Sequence, residues 1–220
     1  MTEGAAPAPR IRVWDVPVRA CHWLIVLFVA ASWWTAETKR MDWHRYSGYA
    51  LLALVIFRVY WGFFGSSTAR FSQFVRGPRV VLSYLKGRWA ALPGHNPLGA
   101  LSVLVLLGLL LTQIVLGLFA VDVDGIESGP LSTYVSFDAG RIAAEWHEEL
   151  FDALLWLIGL HVAAVLFYLL HKKENLVGTM LHGMRTFPGE QATSVRTASW
   201  VRFTLGVVLA GLLTWMVTRV

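Results

Sequence analysis

Cysteine is almost missing from this chain: Cys21 stands alone among 220 residues. No internal disulfide and no cysteine-based metal cluster can form from it. Charge is scarce as well, with Asp, Glu, Lys and Arg making up 15% of the residues. That is too little to clothe a soluble domain. Between residues 65 and 97 there is no acidic residue at all. No repeat period and no low-complexity tract breaks the sequence. The formal charge of +5 would suit a nucleic-acid binder, but the basic residues lie in the connections between apolar segments and follow membrane topology instead, so no nucleic acid is expected as a partner.

Apolar residues fill the space that charge leaves. Hydrophobic types reach 56%, with 11 Trp and a mean hydropathy of +0.55. Five apolar segments stand out, at roughly 20–36, 46–64, 98–120, 150–170 and 201–218, each near the ~20 residues that cross a hydrocarbon core as a helix. Trp and Tyr flank several of their ends, as interfacial residues do. The first run has a basic lead-in (Arg10, Arg12, Arg19), yet Trp33 and Trp34 stand where a signal peptidase needs small residues, so it reads as a retained helix. The expected fold is an all-α membrane protein: a four-helix transmembrane bundle plus a fifth transmembrane helix. Residues 1–12 are expected to be a disordered tail, 13–178 the four-helix core, 179–199 a cytoplasmic loop and 200–220 the fifth helix.

Charge sets the orientation. The 65–97 connection carries Arg70, Arg76, Arg79, Lys86 and Arg88; the 171–200 connection carries Lys172, Lys173, Arg185 and Arg196 against Glu174 and Glu190. The 121–146 connection holds Asp122, Asp124, Glu127, Asp138 and Glu145 against one Arg141. The positive-inside rule puts the N-terminus and the 65–97 and 171–200 connections in the cytoplasm, and the 121–146 connection and the C-terminus on the other side. The short 37–45 turn, with Lys39, Arg40 and Arg45, runs mildly against it.

Ionisable residues inside such segments carry a cost and are held there by a partner or a task. His147 and His161 both lie on the fourth segment, about four helical turns apart. At ~1.5 Å and ~100° per residue they face one way, about 21 Å apart along the axis. Their partners at equal depth are His44, at the outer start of the second segment, and His22, the same distance inward from Ala36 on the first. Four histidines pairing by depth as His44 with His147 and His22 with His161 fit two stacked haems, each iron held from both sides. An iron so ligated has no open position, which favours electron transfer over oxygen chemistry. The competing reading has each imidazole hydrogen-bonding a neighbouring helix. Attachment is non-covalent, because ACHW lacks the Cys-x-x-Cys-His pattern. His171 and His182 read as surface residues, Cys21 as a packing residue, and Gly48, Gly108, Gly117 and Gly159 serve close helix packing as readily as a macrocycle.

The motifs VWDVPVRACHW (13–23), HRYSGYALLALVIFRVYWGFFG (44–65), RFSQFVRGPR (70–79), GHNPLGA (94–100) and LHVAAVLFYLLHKKENLV (160–177) resemble the bacterial di-haem b-type cytochromes, including cytochrome b561 and the b-type subunit of nickel–iron hydrogenases. The resemblance implies a four-helix core with two non-covalent haems b, ligated at His22, His44, His147 and His161. It also implies an exchange of electrons between the quinone pool and a c-type cytochrome, a hydrogenase or a dehydrogenase. The fifth segment lies outside it.

Two further sites are expected. Arg58 follows His44 by the same interval that separates His161 from His147, which puts it at inner-haem depth. A guanidinium there suits a haem propionate; snorkelling to the interface is its alternative. A quinone site is expected at the cytoplasmic head of the third segment. There His95 offers a donor and an acceptor and is expected to titrate near neutral pH, while Asn96 offers an amide donor, although Asn96 before Pro97 also suits a helix cap. The function expected is an electron-transfer subunit of a respiratory oxidoreductase. The alternatives are a stand-alone quinone oxidoreductase acting on a small molecule such as superoxide, and a haem-free helical transporter or anchor.

Overall fold

A computed structural model describes residues 10–88, 94–124, 126–186 and 196–219. Among the described residues five helices are long and apolar enough to cross a membrane: α1 (Val16–Glu37), α2 (Met41–Phe64), α5 (Pro97–Phe119), α6 (Phe137–Leu170) and α8 (Trp200–Thr218). Two short helices, α3 (Phe71–Phe74) and α4 (Pro78–Leu85), lie between α2 and α5. A third, α7 (Leu176–His182), follows α6. The fold is the all-α membrane bundle that the hydropathy pattern predicts. We term the side on which α1 begins the near side and the opposite one the far side.

Four of the five long helices start at a capping side chain, and α2, which follows Arg40, does not. Asp15 accepts a 2.8 Å hydrogen bond from the Val18 N–H and caps α1, with Pro17 in the first turn. Asn96 caps α5 ahead of Pro97, accepting from the Gly99 N–H at 2.7 Å. Ser136 caps α6 and Ser199 caps α8. Such caps contribute about 1 kcal/mol each by satisfying amides that no helix carbonyl reaches.

The fourth membrane helix differs from expectation. It begins at Phe137, not near 150, and runs for 34 residues. At ~1.5 Å per residue that is about 51 Å, well beyond a ~30 Å hydrocarbon core. Its first turns carry Asp138, Arg141, Glu145, Glu148 and Glu149, so the hydropathy that marks a span is silent about them. His147 therefore sits some three turns inside a helix that stands out on the far side.

Packing follows the chain: α1 lies along α2, α2 along α5 and α8, and α5 along α6. Among the described residues α6 has no comparable packing against α1 or α2. Two apolar clusters fill the bundle. One, near the near side, joins Val13, Trp14, Val18, Cys21, Phe57, Trp61 and Ala210; the other joins Leu51, Leu52, Val55, Leu110, Ile114 and Leu154.

The start of the chain also departs from expectation. Residues 1–9 lie outside the described residues, but Arg10–Arg12, assigned to the tail, form a strand, β1. It pairs antiparallel with β2 (Met184–Thr186), Ile11 facing Arg185. The reason is local: Val13 and Trp14 both donate to the Gly183 carbonyl, at 2.7 and 3.2 Å. Gly183 ends α7 with φ of +78°, a conformation that glycine takes without strain. In the same way α7 and β2 shape the beginning of the segment expected to be a loop from 179 to 199, of which 187–195 lie outside the described residues.

Candidate functional site

On the far side, the imidazoles of His44 and His147 face each other. Their ring centroids are 6.1 Å apart and their planes stand at 85°. In each ring Nδ1 is engaged: that of His44 donates to the Ser32 carbonyl at 2.9 Å, and that of His147 to the Gln113 carbonyl at 2.8 Å. A proton fixed on Nδ1 leaves the Nε2 lone pair free for a metal, the usual arrangement for ligating histidines. The Gln113 side chain returns the contact, its Nε2 donating to the His147 carbonyl at 2.6 Å. Ser47 holds the His44 turn, its hydroxyl bonding the His44 carbonyl at 2.8 Å and the Ser32 hydroxyl at 2.6 Å.

The two rings border a cavity of about 640 Å³ with walls from α1, α2, α5 and α6. That volume falls within the roughly 300–1,000 Å³ of cofactor sites. Glycine shapes it at two points. A Cβ on Gly48 would meet nothing within 4 Å, whereas one on Gly117 would come within 2.8 Å of the His147 ring. The rim is charged: Glu37, Lys39, Arg45, Glu127, Glu148 and Asp152 all border the opening. Arg45 there pairs with Asp42 at 2.6 Å and with Glu127 at 3.1 Å.

The residues fit an iron porphyrin. A metal–imidazole bond of about 2 Å and about 1.1 Å from ring nitrogen to centroid put two imidazoles on one metal with centroids about 6 Å apart. The observed 6.1 Å matches that spacing.

The near-side pair is arranged differently. His22 on α1 and His161 on α6 are on helices that do not pack side by side, and among the described residues no ring contact joins them. His161 Nδ1 lies 3.4 Å from the Ser102 hydroxyl. His22 Nδ1 is buried without a hydrogen-bond partner, and its ring packs edge-on against Trp23. Arg58 Nη1, Arg19 Nε and His95 Nδ1 are likewise buried without a partner. Arg58 does not snorkel: it is 8% exposed, its guanidinium over the Phe71 ring at 5.4 Å. Buried donors left unmatched carry a cost, which a carboxylate-bearing ligand would remove.

His95 lies between two aromatic rings, Trp14 at 4.5 Å and Phe74 at 4.6 Å. Burial, with Arg58 and His161 nearby, pushes its pKa down to about 3. It is thus a neutral imidazole at physiological pH rather than the near-neutral titrating group expected. Asn96 uses both ends of its amide: Oδ1 caps α5, and Nδ2 donates to the Tyr168 hydroxyl at 2.7 Å. Tyr168 in turn hydrogen-bonds Tyr84 of α4.

Sequence reasoning missed Ser32, Gln113, Tyr168 and Trp14. Gln113 carried a signal, a lone amide inside LLTQIVL, where an unpaired polar group is expensive. His171 and His182, read as surface residues, are exposed, and Cys21 is buried with its thiol 3.5 Å from the Leu54 carbonyl.

Facing imidazoles, each with Nδ1 bonded to a carbonyl, border a cavity among four membrane helices, which is the build of an all-α membrane protein with room for a cofactor. A family model described as prokaryotic cytochrome b561 matches residues 13–183, and the chain belongs to that family. It is a multi-pass membrane protein of the b-type cytochrome class, whose work is electron transfer on b-type haem. No curated protein and no solved structure matches the chain.

Proposed function

We propose that this cytochrome carries two haems b and passes electrons across the membrane, between a quinone and a redox partner on the far side. In this reading the near side is the cytoplasm, which the basic connections favour, and the far side the periplasm of a bacterial inner membrane. His44 and His147 hold the far-side haem, and His22 and His161 the near-side haem. The observation that carries the reading is the 6.1 Å pair with both Nδ1 atoms engaged, together with a second histidine, His161, further along α6. When bound, the haems supply one-electron oxidation and reduction without bond making.

The remaining steps belong to the polypeptide. Ser32 and Gln113, through their carbonyls, orient the far-side imidazoles and hold their tautomer. Arg58 offers its unmatched Nη1 to a near-side propionate. Four carboxylates against two cations at the cavity rim favour a basic partner, such as a c-type cytochrome or a hydrogenase or dehydrogenase subunit, by electrostatic steering. A quinone at the head of α5 would take hydrogen bonds from neutral His95 and from the Asn96 amide.

The purified protein is expected to show a Soret band and a pyridine haemochrome of b type at two haems per chain. Absence of any visible band would return the chain to a haem-free transporter or anchor. One haem per chain would remove the second pair.

A further inference from the structure

The connection between α2 and α5 contains a helix with an unusual surface. In α4, Val80, Val81 and Tyr84 are half-buried against the bundle, while Leu82 and Leu85 lie on another stripe and are 55% and 61% exposed. No residue of α4 is fully buried. Arg79 stands on the helix, with Arg76 just before it and Lys86 and Arg88 just after, and among the described residues none of these four forms an ion pair. Arg76 makes a single hydrogen bond, from Nη2 to the Gln73 carbonyl at 2.9 Å. A helix of this composition lies in an interface plane, its leucines among acyl chains and its cations among headgroups.

Beside it is a shallow groove of about 40 Å³ between the start of α4 and the head of α5, bordered by Val75, Arg76, Val81, Pro97, Leu101 and Leu104. It is too small to enclose a lipid, but Leu101 and Leu104 are exposed on the outside of the bundle and extend its apolar surface toward the hydrocarbon of the membrane. An apolar surface beside a guanidinium suits a chain with an anion at its head.

We propose that α4 and this groove form a binding site for an anionic phospholipid, with the phosphate at Arg76 and Arg79 and one acyl chain along Leu101 and Leu104. A neutral face would tolerate any lipid. Arg76, Arg79, Lys86 and Arg88, in a stretch from 65 to 97 that holds no acid, select a negative headgroup. Tyr84 then gives the lipid a position in the working of the bundle, since its hydroxyl reaches Tyr168 and, through it, Asn96 at the head of α5. The site stands independently of where a quinone binds.

The test uses the full-length, haem-loaded protein in nanodiscs of phosphatidylcholine mixed with phosphatidylglycerol, with retained lipids counted by native mass spectrometry. The wild type should retain phosphatidylglycerol selectively. Arg76→Gln with Arg79→Gln should weaken that retention about fivefold per charge, about twenty-five-fold for the pair. The haem spectrum, unchanged, reports that the variant is folded. Arg202→Gln, a basic residue on α8, should leave retention as it is. Equal retention of both lipids by the wild type overturns the site, as does wild-type retention in the double variant or an equal loss in Arg202→Gln. Salt-sensitive binding of poly-glutamate without lipid preference would assign the face to a protein partner and overturn it too.

Discussion

Gly117 stands directly behind His147: a Cβ at that position would lie 2.8 Å from the ring's Cε1. The missing side chain lets the imidazole turn between α5 and α6 with Nδ1 on the carbonyl of Gln113, one helical turn earlier. Gly117→Ala should push the ring out of line and lower haem content from about two per chain to about one. Gly108→Ala on the same helix, where a Cβ meets nothing within 4 Å, should keep both. The ratio of pyridine haemochrome to protein checks the pair.

The ligand assignment predicts losses by side of the membrane. His44→Ala or His147→Ala should remove the far-side haem, and His22→Ala or His161→Ala the near-side one. Redox titration of each variant should show one midpoint where the wild type shows two. Two midpoints in the double variant of His44 and His147 would contradict the pairing.

Arg58→Leu addresses the buried guanidinium. A unit charge at ~10 Å and an effective dielectric of ~20 is worth about 1.7 kcal/mol, or on the order of 70 mV for one electron. Loss of that positive charge should lower the near-side midpoint by this order and leave the far-side one in place. An unshifted titration would leave Arg58 with a packing role over Phe71.

Asn96 carries two tasks that substitution separates. Asn96→Asp keeps the cap oxygen and loses the amide donor to Tyr168, whereas Asn96→Ala loses both and about 1 kcal/mol of cap. Both variants should slow electron exchange with a short-chain quinol in stopped-flow mixing, and only the alanine should lower the melting temperature. Wild-type exchange rates in both would move the quinone away from the head of α5.

His95 gives the protein a pH signature. Its pKa is near 3 in the fold, against about 6.5 in an unfolded chain, so between these values the unfolded state binds the extra proton. Its contribution is complete above pH 6.5 and fades as the pH falls toward 3, by at most about 1.4 kcal/mol per pH unit. The wild type should lose melting temperature between pH 7 and pH 5. His95→Gln should lose less over the same interval.

Much of this architecture is written in hydropathy and spacing. Leucine-rich runs of membrane length give the five spans, and the interval from His147 to His161 needs only the pitch of a helix to turn two letters into one face. The polar start of α6 was not legible, because a helix projecting into water carries no apolar signature. Nor was the alignment of each far-side ring. Ser32 and Gln113 act through backbone carbonyls, and any residue type supplies a carbonyl, so side-chain identity says nothing of the contact. His95 shows the opposite limit. Its type suggested titration near neutrality, and only its position between Trp14 and Phe74 reveals a ring kept uncharged.

The pairing of β1 with β2, which follows α7, imposes an order of events on biogenesis. Val13 leaves the ribosome long before Gly183, the residue to whose carbonyl it donates, with most of the chain between them. Until then the Trp14 amide has no partner, and the wall its ring forms against His95 is held only through its neighbours, Val13 on Thr68 and Asp15 on Trp61. Threading of α6 through the membrane precedes that latch, so the near end of the nascent bundle stays ajar while the histidines of α6 arrive. The two-stranded clasp thus closes only after α6 is in place, with α8 alone still to follow onto α2, and it leaves an interval in which a large flat cofactor enters sideways before the door is shut.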